Sequence, residues 1–486
     1  MEYFAGIDVG TSNIKGSVYS ADGNLINTAR ISYNSFSPKN NYHEQNPNDW
    51  YEGVIKVLSK LCVNKSVKTN LKAISLSTQG GTIVLVDKNF NPLYNAITWL
   101  DRRGSEILET NKKLLSKNIE FYYKTGWRLD TNMSFMPLFW LKGSKPEIFK
   151  KIYKIFFVND YLLMRLTGQY YQDPSNSSIT LFYNITKNCW DKEILDLINL
   201  NEENFSEVKD SGEFIGYLNN SILSKLGLKN EVILINGGHD QYCSSVGAGI
   251  LDTSEILLAT GTAWIVFKMT DEPIFDSKSF FAPGRSVIKD KFGLMYSIPA
   301  AGASVKWFAL NIMKFKNEKN FFNLIDSDPD KLASIKNNII FHPYLTGNFG
   351  PDFDILKKAN FLNIEIGHNY LDLLKSIMEG IGFQLRKILT VYNEKGILTK
   401  KIKIVGGCTK DKVWPSIIAD INNLDVLIPQ DINQDLATKG AAIIAGWGAG
   451  IFPTINDAYK KLKTNFKLIK PNELNLKFYN KKYNLF

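Results

Sequence analysis

The sequence has few cysteines, no long apolar run and no signal peptide. Its four cysteines lie far apart, without a CxxC pair or a histidine at metal-ligand spacing, which disfavours a disulfide scaffold and a zinc site. The N-terminus lacks the basic and apolar regions of a secretion signal, and the weakly polar stretch 441–452 is too short to span a bilayer. These absences predict a soluble protein of the reducing cytoplasm.

The two commonest nucleotide-binding motifs are also missing. The chain contains no G-x-x-x-x-G-K-[ST] loop and no G-x-G-x-x-G turn before a helix. A P-loop NTPase and a Rossmann enzyme are therefore unsupported, and any nucleotide site must be of another kind.

Composition indicates an ordinary globular protein with a basic surplus. The 486 residues are enough for two large domains, and 44% of them are hydrophobic. Lys+Arg exceed Asp+Glu by 58 to 48, a net charge of +10 that could attract nucleic acid, anionic lipid or phosphorylated small molecules. The lysines are scattered and no basic run is interleaved with stacking aromatics, which disfavours a nucleic-acid-binding protein.

Apolar periodicity predicts an α/β protein. Helices are predicted at 49–62, 136–141, 160–166, 371–390 and 414–422, and strands at 71–77, 83–86, 232–235 and 402–405. Two strand–turn–strand units, 3–19 and 255–267, share a Gly/Thr turn and open the two halves of the chain. This repeat predicts duplicated domains, 1–245 and 246–486, that face each other across a cleft.

Two carboxylates and two turns could carry phosphoryl chemistry. Asp8 ends an apolar strand, where it could organise a hydrated Mg²⁺ ion or cap a turn. Asp240 lies at a strand-to-helix junction, where it could accept a hydroxyl proton or serve as a helix N-cap. The turns 10–13 and 261–262 expose N–H groups and hydroxyls suited to phosphate, although ordinary hairpins share this composition.

The motifs resemble, nearly end to end, those of the FGGY carbohydrate kinases of the actin/hexokinase ATPase superfamily. The segments that carry the resemblance are GIDVGTS (6–12), 95–103, 159–168, GGHDQ (237–241), ATGT (259–262), 343–347, 368–380, 405–408 and 438–442. Each motif is weak alone, but their order and spacing indicate kinship.

The resemblance implies transfer of the ATP γ-phosphoryl group to a sugar hydroxyl between two ribonuclease-H-like domains of an actin-like ATPase fold. It implies Asp240 as the general base, and Asp8 with Asp240 as the carboxylates that organise Mg²⁺. The ATP-binding residues that it implies are Gly10, Thr11, Ser12, Asn13, Gly261, Thr262, Gly406 and Gly407. The substrate-binding residues that it implies are Gln79, Gly80, Gly81, Asp101, Arg102 and Gln241. The expected partners are ATP and a small sugar, not nucleic acid or membrane, and a homodimer is one expected assembly.

Departures from the family pattern concern the acceptor. Gly80 and Gly81 stand where xylulokinases carry Met-His-Gly and glycerol kinases carry Arg-Glu, which disfavours glycerol and predicts a pocket widened for a different or larger polyol. Asn348-Phe349 and Asn363 also differ from the family pattern and indicate a divergent subgroup. The favoured acceptor is a ketose such as xylulose. A kinase for gluconate or another polyol, and a catalytically weak sugar-sensing protein, are the alternatives.

Overall fold

Two mixed β-sheets form the frame of the computed structural model, which describes residues 1–486 apart from the side chain of residue 319. The strands are β1 (Tyr3–Val9), β2 (Asn13–Ser20), β3 (Leu25–Ser32), β4 (Glu44–Gln45), β5 (Leu71–Thr78), β6 (Val84–Val86), β7 (Ala96–Ile97), β8 (Lys154–Phe156), β9 (Tyr183–Asn184), β10 (Cys189–Trp190), β11 (Phe214–Tyr217), β12 (Ile233–His239), β13 (Glu255–Thr260), β14 (Trp264–Thr270), β15 (Ala282–Arg285), β16 (Phe292–Ile298), β17 (Ile340–His342), β18 (Asn360–Leu362), β19 (Lys401–Gly406), β20 (Asp425–Pro429) and β21 (Phe466–Ile469).

Helices cover the sheets and fill the connections between strands. They are α1 (Pro47–Leu61), α2 (Lys65–Asn70), α3 (Ser105–Thr110), α4 (Lys112–Leu115), α5 (Asn118–Thr125), α6 (Phe135–Ser144), α7 (Pro146–Phe149), α8 (Val158–Thr167), α9 (Pro174–Ser178), α10 (Lys192–Asp196), α11 (Asn220–Leu226), α12 (Asp240–Gly247), α13 (Ala301–Trp307), α14 (Glu318–Asp326), α15 (Pro329–Ser334), α16 (Tyr370–Glu394), α17 (Trp414–Asn422), α18 (Leu436–Gly448), α19 (Ile455–Lys461) and α20 (Glu473–Tyr483). All the helices and strands predicted from periodicity are present. Among the described residues, no helix is both long and apolar enough to cross a bilayer.

The two sheets repeat one topology. The first has the order β3-β2-β1-β5-β12-β11, and the second has the order β16-β14-β13-β19-β20-β21 with β15 added beyond β16. In each, two antiparallel pairings are followed by two parallel pairings and a last antiparallel one. This identity confirms the α/β class and the duplication that the two Gly/Thr hairpins predict. A domain boundary at 245/246 would fall inside α12 and remains a prediction.

Each half has its own hydrophobic core, and a third core spans both halves. The two separate cores surround the two sheets. The shared core packs residues of the first sheet, such as Phe4 and Ile235, against Leu257 and Phe267 of the second and against Ile443 of α18. Burial of this apolar surface ties α18, which follows the second sheet in sequence, to the first sheet.

The helices α12 and α18 pack backbone against backbone. A Cβ atom built on Gly440 would lie 1.8 Å from the carbonyl oxygen of Cys243, and one built on Gly247 would lie 2.1 Å from that of Leu436. No side chain fits at such distances, so both positions require glycine. A helix that follows the first sheet and a helix that follows β20 of the second sheet are therefore held at minimal separation.

Gly440→Ala should destabilise the protein by about 1–3 kcal/mol, because the added methyl group must push α18 away from α12. Gly143→Ala is the matched control, since it lies in α6 and its Cβ would meet nothing within 4 Å. That control should be neutral or stabilising by up to about 1 kcal/mol through helix propensity. Denaturant unfolding measures both variants, and equal stability of the two would contradict the tight packing of these helices.

Candidate active site

Asp8 is a buried carboxylate inside β1, with 5% of its surface exposed. Its Oδ1 accepts a hydrogen bond of 2.7 Å from the Ser77 hydroxyl on the neighbouring strand β5, and its Oδ2 lies 3.8 Å from the Lys15 ammonium on β2. The side chain therefore bonds across the sheet, so the alternative of a turn cap is wrong.

Lys15 connects Asp8 to the second half of the chain. Its Nζ lies 2.7 Å from Oδ2 of Asp435, the residue that precedes α18. The other oxygen of Asp435 accepts the Thr438 N–H at 2.9 Å and so caps the helix. One carboxylate thus holds both a helix N-terminus and the ammonium group beside Asp8.

Asp240 is the first residue of α12, and His239 is the N-cap. The Asp240 side chain is 31% exposed and makes no cap hydrogen bond, whereas its Oδ1 lies 3.1 Å from Nε2 of His239. The alternative of a helix-capping role is therefore wrong, and the carboxylate is available to a ligand.

The charges of these groups shift the pKa of Asp8. Burial, followed by the negative charges of Asp435 and Asp240, raises the pKa of Asp8 from 3.8 to about 7, although Lys15 and Ser77 act in the opposite direction. Burial lowers the pKa of Lys15, but the charges of Asp435 and Asp8 outweigh burial and raise it overall. Asp8, Asp240 and Asp435 therefore form one electrostatic group with a surplus of negative charge.

This carboxylate group fits a hydrated divalent cation. Asp8 and Asp435 share the Lys15 ammonium, and a cation would offset the charges of Asp435 and Asp240, which add to burial in raising the pKa of Asp8. Among the described residues, no three His, Cys, Asp or Glu side chains converge closely enough to ligate a metal directly. Mg²⁺ keeps several of its waters and takes few protein carboxylates, so the arrangement suits Mg²⁺ better than a fully ligated metal.

The first Gly/Thr turn joins β1 to β2 and is partly exposed. The Gly10 N–H donates to the Asn13 carbonyl at 3.0 Å, and the Thr11 hydroxyl accepts the Trp99 indole N–H at 3.1 Å. The Asn13 side-chain oxygen is occupied by Arg30 and Ser32, so Asn13 shapes the turn. The exposed Ser12 can still donate to a phosphate.

The second turn lies beside the predicted adenosine-side glycines. The parallel pair β13 and β19 sets Thr260 opposite Gly406, and the Thr260 hydroxyl accepts the Cys408 N–H at 3.0 Å. Gly261 and Thr262 then follow β13, while Gly407 follows β19, and all three are exposed. The structure thus brings together the four residues predicted to bind ATP from the second half.

Gln79 leaves β5 with its amide fixed in one orientation. Its Nε2 donates to Gln45 Oε1 at 2.9 Å, and that oxygen also accepts the Trp50 indole N–H. The Gln79 Oε1 is buried without a partner, and the same holds for Gln241 Oε1 next to Asp240. Two predicted substrate residues therefore have buried acceptor oxygens without a partner in the protein.

Asp101 is fully buried and bonds within the protein. Oδ1 accepts the main-chain N–H and Nε of Arg103, and Oδ2 accepts Nη2 of Arg103 and the His43 N–H. These four bonds leave no acceptor position for a sugar hydroxyl, which counts against the predicted contact. The adjacent Arg102 is exposed and bonds Thr131 at 3.3 Å, so it can reach a ligand.

The double glycine does not widen the pocket as predicted. A Cβ on Gly80 would lie 1.6 Å from Ile179 Cδ1 and 2.7 Å from His239 Cδ2, so two side chains already fill that space. At Gly81 there is room, because its Cβ would only touch Trp99 at 3.5 Å, but a φ of +69° disfavours any other residue. The expectation of a cavity at both positions is wrong for Gly80.

Sequence reasoning missed Lys15, Asp435 and Trp99 as site residues. The side chain of Trp99 is 40% exposed, its indole N–H bonds Thr11, and its Cβ lies 3.5 Å from the position that a Cβ on Gly81 would take, so Trp99 lies between the predicted sugar and phosphate sites. Trp99 lies within a family-like motif, which was the available signal. Lys15 and Asp435 are 420 residues apart, and no local pattern marks them as partners.

A cavity of about 670 Å³ lies elsewhere in the first half. Tyr170, Trp190 and Glu203 are among the residues that line it, and none of the predicted site residues is. The chemistry is therefore assigned to the carboxylate group and the turns rather than to this cavity.

The comparisons with known proteins agree with this arrangement. The family model described as "FGGY family of carbohydrate kinases, N-terminal domain" matches residues 3–247, and the C-terminal domain model matches residues 256–449. The chain belongs to the FGGY family of carbohydrate kinases. It is an ATP-dependent carbohydrate kinase, a phosphotransferase with an alcohol group as acceptor.

Relatives match along the whole kinase chain. A xylulose kinase of Staphylococcus xylosus is 27% identical over 486 residues, covering 100% of this chain and 99% of the relative. A glycerol kinase of Saccharolobus islandicus is 27% identical over 469 residues, covering 94% and 90%. The structure of a ligand-bound xylulose kinase from Lactobacillus acidophilus superposes with a TM-score of 0.89 at 23% identity, covering 100% and 97%. This last likeness establishes the actin-like ATPase fold.

Asp8→Asn should stabilise the ligand-free kinase at pH 8 but not at pH 5. The pKa of about 7 in the folded state exceeds 3.8, so the wild type loses stability as pH rises from about 4 to about 7. A neutral amide removes that loss, and the gain at pH 8 should be on the order of 1 kcal/mol. Unfolding in EDTA measures it, with the exposed Asp330→Asn on α15 as control. A variant less stable than wild type at pH 8 would contradict the electrostatic account.

Proposed function

We propose that this kinase phosphorylates a neutral ketose such as xylulose, with Asp240 as the general base. The observation that carries the proposal is the Asp240 carboxylate, which is partly exposed, free of capping bonds and electrostatically coupled to Asp8. Full-length relatives named xylulose kinase support a ketose acceptor.

The unpaired acceptors favour a neutral substrate. Buried Gln79 Oε1 and Gln241 Oε1 each need a donor, and a sugar hydroxyl supplies one. An aldonate would present a carboxylate, which is a further acceptor, to the same atoms. This disfavours gluconate as the acceptor. The presence of the Asp8 and Asp240 carboxylates and of the 10–13 and 261–262 turns disfavours a catalytically weak sugar-sensing protein.

The positions of these residues support the following reaction. Asp240 accepts the proton of the substrate hydroxyl as its oxygen attacks the γ-phosphorus, and the bond to the β,γ-bridging oxygen breaks to release ADP. Ser12, Thr262 and the turn N–H groups hold the phosphates, and Lys15 adds a positive charge beside Asp8. Asp8 and Asp240 would hold hydrated Mg²⁺, which neutralises charge on the phosphates when bound. A homodimer remains a prediction.

Asp240→Asn should lower kcat by about a hundredfold or more, because the amide keeps the shape but cannot take a proton. Thermal unfolding should show a folded variant, and Asp330→Asn should retain wild-type turnover. The readout is ADP release with a panel of pentuloses, hexuloses, polyols and aldonates.

Near-normal turnover by Asp240→Asn would refute the base assignment. Preference of the wild type for an aldonate over every ketose would instead overturn the acceptor class.

A further inference from the structure

The space next to Gly80 is occupied by an imidazole. Gly80 follows β5, and His239 ends the neighbouring strand β12, where it pairs with Thr78. A Cβ atom on Gly80 would lie 2.7 Å from Cδ2 of the His239 ring and 1.6 Å from Cδ1 of Ile179, so both side chains crowd this position. Glycine at position 80 and histidine at position 239 are therefore sterically coupled, although they are far apart in sequence.

His239 is held on several sides. Its main-chain N–H donates to the Ser175 hydroxyl at 2.9 Å, and Ser175 in turn bonds Asp173. Its ring packs edge-to-face against Tyr242 with centroids 5.9 Å apart, and the side chain is 12% exposed. The main chain of His239 is thus held by a hydrogen bond and its ring is packed, with Nδ1 buried without a partner.

The packed ring contacts the carboxylate of Asp240. Nε2 lies 3.1 Å from Oδ1 in a close polar contact. Asp240 has no capping bond and a partly exposed side chain, so this contact is the one that can orient it. Oδ2 lies outside this contact and can accept a substrate proton.

We propose that His239 is a positioning residue for Asp240, and that Gly80 serves to make room for it. This inference rests on the proposed function, since it acts only through Asp240 as base. A carboxylate held in one rotamer is already oriented to accept the proton when the substrate binds. The contact between His239 and Asp240 should therefore affect turnover more than substrate binding.

His239→Leu removes the polar contact with Asp240 while it keeps an apolar side chain in the space. We expect kcat to fall by about tenfold or more, with KM for sugar and ATP changed by less than about threefold. His239→Gln carries an N–H at a similar distance from the backbone and should restore most of kcat. Unchanged kcat in His239→Leu, or no rescue by His239→Gln in a folded protein, would overturn the proposal.

A double variant separates positioning from mere packing. In the Asp240→Asn background His239→Leu should cost almost nothing further, because residues that act as one unit are non-additive. Full additivity would mean that His239 acts independently of Asp240 and would overturn the inference.

The single variants separate the two proposals. If Asp240→Asn alone keeps near-normal turnover, the proposed base is wrong. If it is inactive while His239→Leu is normal, only the role of His239 fails.

Steric coupling with Gly80 gives an independent measurement. Gly80→Ala should displace the imidazole and lower kcat as His239→Leu does. The test is made in an Ile179→Val background, because that change removes the Ile179 Cδ1 atom that also crowds the new methyl group. In that background, Gly80→Ala should lower kcat when position 239 is histidine and have little effect when it is leucine. Equal losses in both cases would show that Gly80 matters for another reason and would overturn the coupling.

Discussion

The close packing of α12 against α18 is the constraint on which the site depends. Contact between their backbones at Gly440 and Gly247 fixes a helix from the second half against the sheet of the first. Asp240 begins one of these helices and Asp435 caps the other, so both carboxylates act on Asp8. Helix N-termini favour negative charge, which makes these positions suited to carboxylates and to phosphate groups.

The same arrangement stores unfavourable electrostatic energy in the ligand-free state. Two carboxylates share one ammonium, and burial together with the charges of Asp435 and Asp240 raises the pKa of Asp8 to about 7. A bound cation reduces the repulsion among the carboxylates, and Lys15 can attract a phosphate. Ligand binding can therefore remove part of the unfavourable electrostatic free energy of the ligand-free folded state. Perturbed carboxylates of this kind are common where proteins perform proton and phosphoryl transfer.

Local sequence patterns predicted the frame of the fold well, because strands and helices reflect short-range periodicity. The two Gly/Thr hairpins correctly indicated duplicated sheets. Contacts between distant residues were not predictable in the same way: Lys15 pairs with Asp435 across 420 positions, and Ile179 and His239 fill the space at Gly80. The widened pocket was expected because a missing side chain suggests empty space, and only the folded structure shows that two distant side chains fill it.

A crystal structure with ADP, Mg²⁺, an aluminium fluoride mimic of the γ-phosphoryl group and the preferred sugar tests the account most directly. A sugar hydroxyl should lie about 2.6–3.2 Å from a carboxylate oxygen of Asp240. Mg²⁺ should be joined to Asp8 directly or through a water, and the aluminium fluoride should be bound by the 10–13 and 261–262 turns. A sugar hydroxyl bound away from Asp240, or phosphates bound away from both turns, would contradict it.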